Sequence, residues 1–327
     1  YNETKILVKN LIKEFPENQF CWKVLGAALL HNGEILKAIN ANKKSIELNP
    51  QDPEAFYNLG ISQKEIGRYE DAVLSYEKAV LLNPNYYHAY SNLGNINKKL
   101  GKFKEAENNY KKAINIKPDY ADAYYNIGVL FQEVGKNDFA EENYKKAIFL
   151  KPNYPEAHNN LGSILQELGS LKEAEISFKK SIKLNPDLLE SYINLCDLYE
   201  KLNRTKEGLI LIKNTTKKFG ENLSEILLYK AIFLFRQKKI KEFEQLIKKI
   251  KIEKLSLKRA PLFLNLKANW HNSQKDFEAA FKVFLEMNKK IKETSDFKKY
   301  QDRGLYKEVQ SLVLQLKKLG LSKFEKK

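Results

Sequence analysis

Apolar positions along this chain fall in helical stripes, recurring at three- and four-residue intervals, with short breaks rich in Gly, Asn and Pro between them. The stripes come in pairs, and the pairs repeat every 34 residues. With units starting at Gln19, Pro53, Tyr87, Ala121, Pro155 and Leu189, the eighth position reads Gly26, Gly60, Gly94, Gly128, Gly162 and Cys196. The fifteenth reads Gly33, Gly67, Gly101, Gly135, Gly169 and Asn203, and the twentieth Ala38, Ala72, Ala106, Ala140, Ala174 and Gly208. Position 32 is Pro50, Pro84, Pro118, Pro152 and Pro186, then Gly220.

Each position has a physical reason. Gly or Asn at position 15 tolerates the left-handed conformation that ends one helix and turns the chain into the next. Proline at 32 stops the second helix before the next unit. A small residue at 8 is expected to face the alanine at 20, so that the helices approach closely. Large residues at 4, 7, 11 and 24, such as Tyr90, Leu93 and Tyr110, are expected to fill the space on either side. The unit is therefore an antiparallel helix pair.

The pattern continues more weakly at both ends. "TKILVKNLIKEFPEN" reads as the second helix of an earlier unit, with Pro16 in the place of the position-32 proline. Ala231 stands at position 8 of a seventh unit, where Phe243 replaces the small residue at 20, and Ala268, Ala280 and Phe284 mark an eighth. Leu305, Val309, Leu312, Leu316 and Leu319 form a stripe ending at Gly320, as a closing helix would. The expected organisation is a partial repeat over 1–18, six units over 19–222, two degenerate pairs over 223–294, and a capping helix with a basic tail over 295–327. A start inside a repeat, and a tail "LSKFEKK" with a lone Phe324, suit a piece of a longer protein.

The period, the small positions and the proline together resemble the tetratricopeptide repeat over residues 19–222. That resemblance implies an all-α fold, a right-handed α-solenoid of antiparallel helix pairs whose first helices line a concave groove. Positions 2, 5, 6, 9, 12 and 13 of each first helix share the face pointing away from the second helix. Position 6 is an asparagine five times, Asn58, Asn92, Asn126, Asn160 and Asn194, with Val24 breaking the row in the first complete unit. One reading is structural: the amide ties neighbouring first helices together. The other is functional, because an amide with both a donor and an acceptor pairs with the main chain of any extended peptide. The row resembles the asparagine-lined groove in the repeat region of O-linked N-acetylglucosamine transferases. Tyr57 and Tyr125 at position 5, with Lys64 and Lys98 at position 12, complete the candidate groove, and Lys98 with Lys99 resembles the lysine pairs with which some repeats clamp a terminal carboxylate.

Composition narrows the chemistry. At 43% hydrophobic residues the chain can bury a core, and no apolar run approaches the roughly 18 residues of a membrane span. A cytoplasmic setting is expected, with no secretory signal at the start. Cys21 and Cys196 lie far apart with no metal or disulfide pattern and read as small buried residues. The formal charge of +16 sits in the last third: 31 basic and 29 acidic residues over 1–222, against 26 and 12 over 223–327. Much of it reflects a lysine-rich composition, and no aromatic and basic surface for stacking bases is present, so nucleic acid is not expected. None of the phosphate-loop, GxSxG or HExxH motifs occurs, and His31, His88, His158 and His271 lack ligand spacing. His158, at packing position 4, reads as a satisfied interface histidine.

The last third resembles the segment joining repeats to a sulfotransferase domain in certain bacterial proteins, in which the catalytic domain lies downstream. Two functions follow as expectations. The first is a scaffold that binds protein or peptide segments in the groove, without catalysis, metal or cofactor. The second is the substrate-recognition half of a larger transferase, a sulfotransferase first and an O-linked N-acetylglucosamine transferase second.

Overall fold

A glycine in the left-handed region closes every first helix of the regular units. The computed structural model describes residues 1–292, and every regular element among them is helical. After α1 (Asn2–Glu14), first helices α2 (Gln19–His31), α4 (Pro53–Glu65), α6 (Tyr87–Lys99), α8 (Ala121–Glu133), α10 (Pro155–Glu167) and α12 (Leu189–Lys201) begin at the unit starts read from the sequence. Second helices α3 (Ile35–Leu48), α5 (Tyr69–Leu82), α7 (Phe103–Ile116), α9 (Asn137–Leu150), α11 (Leu171–Leu184) and α13 (Thr205–Phe219) follow each of them. At the turn after α4, Gly67 has φ +77° and its N–H donates to the Lys64 carbonyl at 3.0 Å, while Arg68 N–H reaches the Gln63 carbonyl at 3.0 Å. Two carbonyls left over at the helix end are thereby satisfied. The same conformation recurs without glycine at Asn203 (φ 54°), Lys238 (φ 56°) and Lys275 (φ 62°), which keep position 15 in the degenerate units.

Packing within a pair differs from expectation in one respect. The position-20 alanines Ala38, Ala72, Ala106, Ala140 and Ala174 are fully buried, but the group facing the position-8 glycine is the side chain at position 24. A Cβ on Gly94 would lie 2.5 Å from the Tyr110 ring, one on Gly60 2.7 Å from Tyr76, and one on Gly162 2.7 Å from Phe178. Each ring packs its Cδ1 and Cε1 atoms against bare backbone. The reason is reach: an aromatic one turn beyond the alanine spans the interhelical gap that a methyl group leaves open.

The chain divides into two compact units, Tyr1–Asn185 and Pro186–Lys327. The first, unit 1, stacks α1 to α11, with Val8 of α1 buried against Cys21, Leu25 and Leu29. In unit 2, α14 (Ser224–Arg236) is buried along most of its length, and Phe233 lies where a Cβ on Gly208 would have to be. Phe243, in place of the small residue at 20, packs against Phe235 and Trp270. It belongs to α15 (Ile240–Ile247), only 8 residues long. A short 3-10 turn (Ile252–Lys254) then leads to α16 (Ala260–Ser273) and α17 (Phe277–Lys292), whose Ala268, Phe284 and Met287 share a core. The stripe from Leu305 to Leu319 and the tail with Phe324 lie outside the described residues. No described helix is long and apolar enough to cross a membrane.

Both cysteines are buried and free. His158 donates from Nε2 to the Pro152 carbonyl at 3.1 Å, so it is satisfied as expected.

Two stability predictions follow from the ring contacts. Gly94→Leu should lower the thermal midpoint markedly, by the equivalent of about 1–3 kcal/mol or more, whereas Lys111→Ala, which removes an exposed pair with Glu107, should leave a circular dichroism melt nearly unchanged. Tyr76 and Tyr144 are equivalent by position, yet the Tyr144 hydroxyl donates to Gln132 Oε1 at 2.7 Å and the buried Tyr76 hydroxyl has no partner, because Lys64 stands where Gln132 does. Tyr76→Phe should therefore stabilise by about 1 kcal/mol and Tyr144→Phe should destabilise by a similar amount, read from urea midpoints.

Candidate functional site

The half-exposed face of the first helices in unit 1 carries four of the five asparagines. Asn92 Nδ2 donates to the Tyr57 hydroxyl at 3.2 Å, Asn126 Nδ2 to Ser91 Oγ at 3.5 Å, and Asn160 Nδ2 to the Tyr125 hydroxyl at 3.2 Å. Every one of these bonds reaches back to position 5 of the preceding unit. Asn58 makes no such bond among the described residues, because position 5 before it is Lys23, whose ammonium is a donor and pairs with Asp52 and Glu54. The amide row thus has a tying role, made with long hydrogen bonds.

Its acceptor side is different. Asn160 Oδ1 accepts from Asn159 Nδ2 at 3.2 Å and its Nδ2 also approaches the Tyr144 hydroxyl, so its amide is used on both sides. Among the described residues, Oδ1 of Asn58, Asn92 and Asn126 has no partner. Asn126 lies in a cleft of about 650 Å³ lined by Tyr125, Asn95, Val129, Phe103, Lys98 and Glu133. Lys98 Nζ spans from α6 to Glu133 of α8 at 2.7 Å. Lys99 instead lies 4.5 Å over the Tyr69 ring, so the two lysines do not converge on one carboxylate. Lys64 pairs with its neighbour Glu65 at 3.1 Å.

Aromatic groups frame the amides. Tyr57 packs against Tyr86 and Tyr125 against Tyr154, each pair with its ring planes tilted at 36°. In the unit between them His88 sits against Tyr87 and Tyr120, its Nδ1 3.3 Å from the Tyr120 hydroxyl. Burial, aided by Lys117, holds His88 below the usual imidazole range and keeps it neutral at pH 7. Burial pushes Tyr120 up to about 12. Around His88 the face therefore offers neutral hydrogen-bonding groups and rings.

Models of the tetratricopeptide repeat match residues 53–86, 155–188 and 75–108, and a TPR repeat model matches 26–67, 94–135 and 133–169. This chain is a tetratricopeptide-repeat protein. Among solved structures, that of pilF from Pseudomonas aeruginosa is 17% identical with TM-score 0.58, covering 65% of this chain and 96% of that one. A tetratricopeptide repeat protein from Parabacteroides merdae ATCC 43184 is 18% identical with TM-score 0.56, covering 79% and 98%. Both are likenesses of fold. A crystal structure of MamA is 31% identical with TM-score 0.46, covering 50% of this chain and 95% of that one. No curated protein matches in sequence.

In unit 2 of this tetratricopeptide-repeat protein, the fifth asparagine has a different neighbour, one that periodicity does not reveal. Arg259, at the start of α16 and 6% exposed, donates from Nη2 to Asn194 Oδ1 and to Glu190 Oε1, both at 2.9 Å. Its Nη1 lies 3.3 Å from Glu225 Oε2 and its Nε 3.4 Å from the Tyr229 hydroxyl, which itself donates to Asp197 at 2.9 Å. One guanidinium joins α12, α14 and α16. Its only trace in the sequence is an arginine among lysines, which matters because a planar fork reaches acceptors on several helices and an ammonium cannot. No group of three His, Cys, Asp or Glu side chains among the described residues could hold a metal.

Arg259→Ala should destabilise unit 2 by about 2–3 kcal/mol, somewhat below the cost of breaking a fully buried pair because Glu190 is half exposed. Arg259→Lys should recover less than half of that, measured by hydrogen exchange of α12 and α14.

Proposed function

We propose that this protein is an interaction scaffold and that unit 1 binds an extended segment of a partner protein along the first-helix face of α4, α6 and α8. The observation that carries this reading is the cleft at Asn126, where an open amide acceptor, the wall of Tyr125, the apolar Val129 and the Lys98–Glu133 pair line one space. Such a set suits a main chain with an apolar side chain between polar flanks. An extended chain has one N–H and one C=O per residue to satisfy, and a row of side-chain amides supplies partners for both whatever the sequence bound. The tie to position 5 uses one N–H of Asn92 and of Asn126 and holds those side chains in place, leaving Oδ1 and the second N–H to a ligand. Tying and gripping are then two uses of one residue. The same face would present a substrate chain to a transferase domain, and the binding step is common to both readings.

Asn92→Ala combined with Asn126→Ala should weaken partner binding, each lost amide pair contributing roughly 0.5–1.5 kcal/mol, with little change in helicity. The partner is obtained by pull-down and its affinity measured by calorimetry. A double variant that melts far lower yet binds normally once folded would make the row structural.

A further inference from the structure

In unit 2 the chain supplies its own occupant for a carboxylate and an amide one helical turn apart. Glu190 and Asn194 are positions 2 and 6 of their repeat, and a single nitrogen of Arg259, Nη2, donates to Glu190 Oε1 and to Asn194 Oδ1, both at 2.9 Å. Residues four apart share one face of a helix, with Cβ atoms about 5–6 Å apart, so the backbone sets this pairing wherever both residue types recur. In unit 1 they recur as Glu54–Asn58 on α4 and Asp122–Asn126 on α8. Both of those amides have an open Oδ1. The other two repeats fall short for separate reasons: His88 stands where the acid would precede Asn92, and after Glu156 the Oδ1 of Asn160 is taken by Asn159.

Each of the two places has more carboxylate than ammonium beside it. Asp52 and Glu54 share Lys23, at 2.9 and 2.6 Å, while Asp122 has Lys151 at 3.6 Å. The acids act on the neighbouring rings: burial and then Asp122 hold Tyr154 above the usual phenol range, and burial and then Glu156 do so for Tyr125. Neither lysine closes the amide, since Asn58 Oδ1 and Asn126 Oδ1 stay open with Lys23 and Lys151 in place. An ammonium thus meets the acid alone. A guanidinium spreads its N–H groups over a planar fork that covers acid and amide together, and its face packs on an aromatic ring. Tyr57 and Tyr125, the residues just before the two amides, supply that ring.

Arg259 is held by two further groups, Glu225 and the Tyr229 hydroxyl. The corresponding positions in the repeats that follow α4 and α8 are Ala89 and Leu93, and Ala157 and Leu161. Glu54 and Asp122 are also 57% and 46% exposed. An arginine bound there keeps the acid and the amide but lacks the lock, which suits a contact that forms and releases. We infer that Glu54–Asn58 and Asp122–Asn126 are two guanidinium subsites and that the segment bound by unit 1 carries arginine, an inference that rests on the groove reading above and adds the chemistry of what is bound. With a net charge of +16 on the chain, a basic segment is drawn to this face by local groups and not by the mean field.

The test uses the full chain and three fluorescein-labelled 14-residue Ser/Gln peptides with four arginines, four lysines or four citrullines at the same positions, followed by anisotropy. The arginine peptide should bind about tenfold tighter than the lysine peptide, and the citrulline peptide more weakly than either. Glu54→Gln and Asp122→Asn, which keep side-chain size, should each weaken the arginine peptide by about threefold to tenfold and together remove its advantage over lysine. Asp122→Glu keeps the charge and should keep the advantage, and Glu77→Gln, at an exposed place on α5, should leave it unchanged, which separates the local contact from net charge and from loss of fold. Equal affinity for arginine and lysine peptides, no measurable binding of the arginine peptide, or a preference that survives Glu54→Gln/Asp122→Asn overturns the inference. A partner from the pull-down that is weakened by Asn92→Ala/Asn126→Ala but not by Glu54→Gln/Asp122→Asn leaves the groove reading standing alone, and a partner indifferent to both variants removes both.

Discussion

A ring pressed against a glycine backbone sets the distance on which the rest of unit 1 depends. The Tyr76, Tyr110, Tyr144 and Phe178 side chains occupy the space a Cβ would take on Gly60, Gly94, Gly128 and Gly162, so the ring sets how closely each second helix approaches its partner. On the same first helices, position 6 reaches back to position 5 of the preceding unit at 3.2 to 3.5 Å. Asn42 shows what happens without a ring. It fills position 24 opposite Gly26 with a buried amide, its Nδ2 donates to Ser62 Oγ at 3.1 Å, and its Oδ1 is left without a partner.

The two units use their first-helix asparagines in opposite ways. In unit 1 the donor ends of Asn92, Asn126 and Asn160 are engaged, and the acceptor ends of Asn58, Asn92 and Asn126 are open. In unit 2 a buried guanidinium closes the acceptor of Asn194 and pairs with both Glu190 and Glu225. A hydrogen-bonding group already satisfied inside the protein contributes little to an incoming peptide, because binding would only exchange one partner for another. Open amide acceptors are thus concentrated where the repeat is most regular.

Much of the fold was legible because repetition multiplies weak signals. One glycine means little, but five in register at position 15 require a turn, and the observed φ of each lies between 74° and 86°. Helix starts were readable for the same reason. The partner of Gly94 was not, since a list of small and large positions does not say which large side chain bridges the gap. Lys238 and Lys275 hold the left-handed turn with residues that carry no signal for it, so only the unit spacing could have placed them. At the site, the row of asparagines was visible, but which donor ends are engaged depends on neighbours 35 residues away, Tyr57, Ser91 and Tyr125. Arg259 lies 65 residues from Asn194, beyond any local pattern. The likeness of the last third to a sulfotransferase-linked segment rested on general character, which side-chain contacts neither sharpen nor use.

The turn at position 15 also bears on how the chain finds its structure. The Schellman-type closure at Gly67 spans six residues, and the ring that seats on Gly94 comes from Tyr110, sixteen residues on. Each helix pair can therefore form from contacts that are near neighbours in sequence, and loop-closure entropy grows only slowly over such distances. Low contact order of this kind goes with rapid folding from any of several starting points, each pair templating the next as it emerges during synthesis.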